Sequence, residues 1–292
     1  MLSRNLLNEG TSATYPAEPF FLKAGTGERF CLYHAPRSLG KCRGVFIYVH
    51  PFADEMNKSR RMAALQARAL AGIGFGVLQI DLFGCGDSHG DFREARWNIW
   101  KQDLAVAVTW VENHVGAPIC LWGLRLGALL ALDFARSSKK KIDQIILWQP
   151  IISGESFLTQ FLRLRLANEM FAAGASTEKI TGTDTMRASL RAGNTLEVAG
   201  YELAPDLAAA LDDLKAAELV ITKSPVHWFE IVLEPGRSMT PSSAKVAGIW
   251  QRNEVDLTMH LIPCLPFWAT QEITECTALV SATVNIFAVA AS

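Results

Sequence analysis

Short apolar runs alternate with longer amphipathic stretches along most of the chain. Residues 45–49 are β-branched and aromatic and stop at His50 and Pro51, which predicts a central strand. Residues 59–71 follow with Met62, Leu65, Ala69 and Leu70 on one helical face, closed by Gly72 and Gly74. Residues 76–80 predict the next strand. Trp97, Leu104, Val108 and Val111 then recur at helical spacing, so the stretch from about 95 to 114 reads as a long crossing helix. Further apolar runs at 119–122, 142–148, 227–233 and 255–262 predict four more strands. Strands alternating with helices of this length imply an α/β fold, a mostly parallel central sheet with helices on both faces.

One interval breaks the alternation. Residues 155–214 carry no strand signal and predict helices at about 157–172 and 205–217, separated by a Gly/Thr/Ser-rich stretch at 174–185. This pattern divides the chain into a core, residues 1–154 and 218–292, and an inserted helical cap, residues 155–217. The dense row Phe157, Leu158, Phe161, Leu162, Leu164 and Leu166 reads as cap core. The uncharged stretch 277–291 is shorter than the roughly 20 residues a spanning helix needs, so it predicts a terminal helix buried on the sheet.

Residues 119–129 carry the clearest chemical signal. A strand runs into Gly123-Leu124-Arg125-Leu126-Gly127 and then into a helix rich in Ala and Leu. That is the order of a nucleophile elbow, Gly-x-Ser-x-Gly, with arginine in the position of the serine. The glycines suit a turn where backbones must approach without side chains between them. Arginine stays protonated and has no lone pair with which to attack a carbonyl.

Composition narrows the class. The chain has 292 residues, half of them hydrophobic, enough for one large domain or a domain with an insertion. A net charge of −1, with no basic stripe beyond runs such as Lys139-Lys140-Lys141, argues against nucleic acid as a partner. The six cysteines, at 31, 42, 85, 120, 264 and 276, follow no metal-ligand spacing, which predicts reduced thiols, no metal and no disulfide framework. Residues 1–10 interrupt their leucines with polar side chains and do not read as a signal peptide, so the expected location is cytoplasmic.

With these elements in place, the chain resembles the α/β-hydrolase superfamily from about Phe20 onward. Val49-His50-Pro51-Phe52-Ala53 is similar to the His-Gly-x loop that supplies an oxyanion-hole N–H, with proline for the usual glycine. Residues 81–88, Asp-Leu-Phe-Gly-Cys-Gly-Asp-Ser, are similar to the family's Asp-x-x-Gly-x-Gly-x-Ser turn, and residues 123–127 are the elbow. More narrowly, residues 121–128 and 266–273 resemble the exosortase A system-associated hydrolase 2 group. That resemblance implies a bacterial cytoplasmic protein beside the machinery that sorts short C-terminal anchors and makes extracellular polysaccharide, with protein partners there.

The resemblance also assigns slots. Arg125 occupies the nucleophile position, and Glu234, after the 227–233 run, the acid position. The base loop at 263–268 holds no histidine, which leaves His260, a few residues earlier, as a displaced candidate. His50, Pro51, Phe52 and Leu126 would form the oxyanion and ligand pocket. Cys264, and less so Cys85, Ser88 and Ser153, are alternative nucleophiles. Without a histidine to orient, Glu234 would either pair with Arg125 or be an exposed turn residue. The expectation is a small anionic or acyl ligand at Arg125, where the N-terminus of the helix starting at Leu126 already favours negative charge, and no cofactor. Two readings stand beside it: a non-catalytic scaffold, and an ester or thioester hydrolase using a displaced nucleophile.

Overall fold

The computed structural model describes residues 16–37, 40–173 and 182–288. Its centre is an eight-stranded sheet. In chain order the strands are β1 (Glu18–Ala24), β2 (Gly27–His34), β3 (Val45–Val49), β4 (Gly76–Ile80), β5 (Ile119–Leu124), β6 (Gln144–Trp148), β9 (Val226–Val232) and β10 (Leu257–Pro263). They lie in the order β1-β2-β4-β3-β5-β6-β9-β10. From β4 to β10 every pairing is parallel, and β2 alone runs against the other strands, pairing antiparallel with both β1 and β4.

The sheet separates two cores, as the fully buried strands β3 and β5 require. On one face α1 (Asp54–Gly72) and α8 (Thr277–Ala288) cover Phe46, Tyr48, Trp122, Trp148 and Phe229. The Trp148 indole N–H donates to Thr283 Oγ1 at 3.0 Å, which ties α8 to the sheet by the face that carries Leu279, Thr283 and Phe287. Thr277, Ala278, Ser281 and Asn285 are exposed, so the helix is not buried all round as expected. On the other face α2 (Trp97–His114), α3 (Leu126–Ser137) and α7 (Pro241–Arg252) pack on Ile47, Leu78, Leu121 and Trp228. A buried ion pair, Arg29 Nε to Asp103 Oδ1 at 2.7 Å, joins β2 to α2. Burial raises the Asp103 carboxyl to about 6 against the pull of the Phe83 N–H and Arg29.

Between β6 and β9 the chain forms α4 (Gly154–Ala173), α5 (Thr183–Arg191), the hairpin β7 (Leu196–Val198) and β8 (Tyr201–Leu203), and α6 (Pro205–Asp212). This corrects the expectation of no strand there. Ala199 and Gly200, both with positive φ, make a tight two-residue turn between strands too short to show a period. Helix α5 takes the end of the stretch expected to be a linker, whose residues 174–181 lie outside the described residues. The pattern also leaves β1, β2 and α7 unmarked. Strand β1 is an edge strand with Pro19 in it, exposed on alternate residues, so it never shows a dense apolar run. No helix among the described residues is long and apolar enough to cross a membrane.

Candidate functional site

The elbow forms as its sequence order requires. Strand β5 ends at Leu124, α3 begins at Leu126, and Arg125 between them holds φ 56° and ψ −118°. A non-glycine residue there is strained, by about 1–3 kcal/mol, and persists because its surroundings over-determine it. The Arg125 N–H donates to the Trp148 carbonyl at 2.9 Å, and its own carbonyl accepts from Ala128 at 3.1 Å. A Cβ on Gly123 would meet the Gly127 carbonyl oxygen at 2.6 Å, and one on Gly127 would run into the carbonyl oxygens of Val49 and His50. Gly127→Ala is therefore expected to destabilise the protein by about 1–3 kcal/mol, lowering its urea midpoint with little change in slope.

The arginine side chain turns into a cleft of about 270 Å³ at the C-terminal end of the sheet. Its partner is Glu55, in the first turn of α1, and not Glu234. Arg125 Nη2 lies 3.1 Å and Nε 3.3 Å from Glu55 Oε1, with 15% and 22% of the two side chains exposed. Burial raises the Glu55 carboxyl above its ordinary value, and the Arg125 charge and hydrogen bond oppose that rise. A second pair, Lys58 Nζ to Asp54 Oδ2 at 3.0 Å, stands beside it on the same helix and also lines the cleft. Trp268, from the loop after β10, caps the guanidinium with its ring centroid 5.2 Å from Cζ. Phe157, Phe161 and Leu164 of α4, with Phe52 of the β3 loop, complete an apolar wall in which Phe52 meets Phe161 edge-on at 5.0 Å.

The other sequence candidates separate. Glu234 is exposed on the turn after β9, and its carboxylate has no ion-pair partner among the described residues. His260 sits in β10, three strands from β5, a separation of about 14 Å at the usual strand spacing. Its Nε2 lies 3.3 Å from His227 Nδ1, and its ring stacks on Phe229. That is a packed pair on the α8 face, not a base at the elbow. His50 is buried behind the cleft. Its Nε2 accepts from the Leu82 N–H at 3.2 Å, so the ring proton is on Nδ1, which donates to the Pro51 carbonyl at 2.7 Å. Burial lowers its basicity, and it serves as a neutral lock between the β3 loop and the turn after β4. Pro51 and Leu126 are buried with it, and of the expected pocket residues only Phe52 reaches the cleft.

None of the alternative nucleophiles lines the cleft. Cys264 is joined to Cys276 in a disulfide, Cα to Cα 6.1 Å, which corrects the expectation of six reduced thiols. The sequence hides this pair because twelve residues separate it and nothing else marks it. Burial, then Asp81 and Asp103, pushes the Cys85 thiol far above its ordinary range, away from the thiolate. Ser88 accepts from the Phe30 N–H and donates to the Asp81 carbonyl, holding the glycine turn. Ser153 Oγ accepts from the Ser156 N–H at the start of α4. No group of three or more His, Cys, Asp or Glu among the described residues is placed to hold a metal ion.

Comparison with known proteins agrees with this fold. The model of a family described as serine aminopeptidase, S33, matches residues 40–246. The human protein ABHD12B is 30% identical over 128 residues, 42% of this chain and 33% of that protein, so the chain spans about a third of its relative's length in the match. Est1E from Butyrivibrio proteoclasticus, with ferulic acid bound, superposes with a TM-score of 0.66 at 15% identity, covering 93% of this chain and 98% of that one. A thermostable carboxyl esterase from Bacillus coagulans, in complex with glycerol, gives 0.61 at 13% identity over 94% and 98% of the two chains. Mouse alpha/beta hydrolase domain-containing protein 10 gives 0.57 at 16% over 93% and 98%. These likenesses show the α/β-hydrolase fold.

Proposed function

The chain belongs to the serine aminopeptidase S33 family of α/β-hydrolases, and we propose that it binds a small acyl ligand in the family's pocket without a serine relay. The observation that carries this is the Arg125–Glu55 pair seated under Trp268 at the elbow. Guanidinium cannot attack a carbonyl, but it donates strongly to an oxygen. Arg125 spends Nε and Nη2 on Glu55, and Nη1 makes no hydrogen bond among the described residues. The four charges lining the cleft, Asp54, Glu55, Lys58 and Arg125, sum to zero. Such a floor suits one carbonyl or carboxylate oxygen better than a multiply charged anion, which narrows the expected ligand.

Size points the same way. About 270 Å³ is roughly nine water volumes at ~30 Å³ each, at or below the low end of small-molecule sites. A short acyl chain or one aromatic ring fills it against Phe52, Phe157 and Phe161. The likeness of residues 121–128 and 266–273 to the exosortase A system-associated hydrolase 2 group supports a place beside that sorting and polysaccharide machinery, in the cytoplasm. The ligand there would be a small acyl compound, and the partners would be proteins of that system.

Hexanoate is a suitable probe. At about a hundredfold excess over its dissociation constant it should add roughly 2.7 kcal/mol of stability, read as a rise in melting temperature. Arg125→Ala should abolish the shift. Glu55→Gln, which frees the arginine charge, should enlarge it at a fixed hexanoate concentration. If hexanoate and methyl hexanoate both leave wild-type melting unchanged, Arg125 is an ion-pair partner of Glu55 and nothing more.

A further inference from the structure

The disulfide closes the loop that supplies Trp268 and Ala269 to the cleft. Cys264 directly follows β10 and Cys276 directly precedes α8, so the bond closes a loop between the sheet and the helix that covers it. That loop carries Trp268, which lies over Arg125, and Phe267, which packs against Trp268 at 5.0 Å and Trp148 at 6.3 Å. Its two ends are fixed by other contacts. The Cys264 N–H donates to the Val232 carbonyl at 2.8 Å, and Glu275 Oε1 lies 2.6 Å from Arg61 Nε of α1. Between the ends, polar contacts are local: Thr270 Oγ1 reaches the carbonyls of Phe267 and Glu272 and the Thr274 hydroxyl. Trp268 is therefore held over the guanidinium by its ring contacts and by the closure of the loop.

Of the four remaining cysteines, Cys31, Cys85 and Cys120 are buried, and burial pushes each thiol up, away from the reactive thiolate. Cys42 is partly exposed and its thiol lies 3.3 Å from the Gly44 carbonyl, with no second cysteine bonded to it. Cys264 is partly exposed, so its sulfur is open to attack, while Cys276 is buried.

We propose that Cys264–Cys276 is a redox modification site whose oxidation state sets the pocket wall. A thiolate of a dithiol reductant attacks Cys264 Sγ, the protein S–S bond breaks, and Cys276 leaves as a thiolate that takes up a proton. The second thiol of the reductant then attacks the mixed disulfide, releasing Cys264 as a thiol and the reductant as its own disulfide. Two electrons and two protons pass to the protein. The opened loop keeps its end contacts but loses the closure that seats Trp268, so Arg125 and Glu55 meet more water and the cleft loses one aromatic side.

The ligand arm of this proposal rests on the acyl-pocket reading; the loop arm does not. The full chain, purified without reductant and treated with oxidised glutathione, should show four maleimide-reactive thiols after denaturation, and six after dithiothreitol. Hydrogen exchange of peptides covering 264–276 should be about tenfold faster in the reduced protein, with peptides of β5 and α3 unchanged. Hexanoate affinity should fall by about tenfold on reduction, within the usual range of coupling between sites. The double variant Cys264→Ser, Cys276→Ser should match the reduced protein and ignore dithiothreitol; if it does not fold, the wild type in both redox states carries the same comparison. Six free thiols after the oxidant, or identical exchange across 264–276 in the two states, overturns the proposal. Redox-dependent exchange without any hexanoate binding in either state upholds the site and removes the acyl-pocket reading instead.

Discussion

Arg125→Ala should lower the stability of the protein by about 2–3 kcal/mol, and should do so in a pH-dependent way. Removing one member of a buried ion pair leaves the other charge without compensation, at a cost of about 3–5 kcal/mol when burial is complete. The pair here keeps 15% and 22% side-chain exposure, so the lower figure applies. For a chain of this size the loss corresponds to a fall in melting temperature of about 3–5 °C at pH 8. A residue placed only to receive ligand would give no such fall when replaced in the ligand-free protein.

The sign of the pH dependence follows from Glu55. Its folded-state carboxyl is raised by burial, with Arg125 pulling it back down. An acid whose pKa is higher in the folded state than in the unfolded one binds its proton more tightly when folded. Its favourable contribution is complete below the unfolded value and is lost as pH rises through the folded one. Alanine at 125 removes the largest opposing influence, so the Glu55 carboxyl moves further up. The melting gap between wild type and Arg125→Ala should therefore be widest near pH 8 and narrow steadily toward pH 5. Arg125→Ala, Glu55→Gln should recover much of the loss at pH 8, since the amide carries no charge to strand. A gap that stays constant from pH 8 to pH 5 would mean that Glu55 is not the stranded group.

The elbow was legible because its signal is local: two glycines that backbone contacts demand, an apolar strand before them and an Ala/Leu helix after them. The rest of the site is assembled from a distance. Glu55 lies 70 residues from Arg125 along the chain and ahead of the helix expected at 59–71. In the structure that helix starts at Asp54, and Glu55 is one of two acids in its first turn, where the helix dipole alone would explain it. Glu234 occupies the expected place in the chain order, yet it points to solvent while the carboxylate from α1 reaches the guanidinium. Trp268 is an aromatic residue in an aromatic loop, and nothing local marks its position over Arg125. The central parallel strands showed themselves as dense apolar runs because both their faces are buried. Strand β1 at the sheet edge and the β7–β8 hairpin lack that burial, and their patterns fade with it.

Restoring the missing relay needs two changes, and neither should work alone. In Arg125→Ser the hydroxyl stops several bonds short of where Nη2 meets Glu55, so that carboxylate is out of the 2.6–3.2 Å reach a general base requires. His50 is also unavailable, since its Nε2 already accepts from Leu82 and its proton sits on Nδ1 toward the Pro51 carbonyl. The loop after β10 offers the better place. Phe267 is packed against Trp148, but Trp268 faces the elbow over the arginine it would no longer cover. Trp268→His in the Arg125→Ser background places an imidazole on that wall, with the freed Glu55 carboxylate on the opposite side of the cleft. Turnover of p-nitrophenyl butyrate should stay at background in wild type and in each single variant. In the double variant it should rise by about 10²-fold or more, the usual scale of a positioned base, and the two changes should be strongly non-additive. Competent turnover by Arg125→Ser alone would reveal a base already in reach, and the reading of the arginine as a replacement for the whole relay would fail.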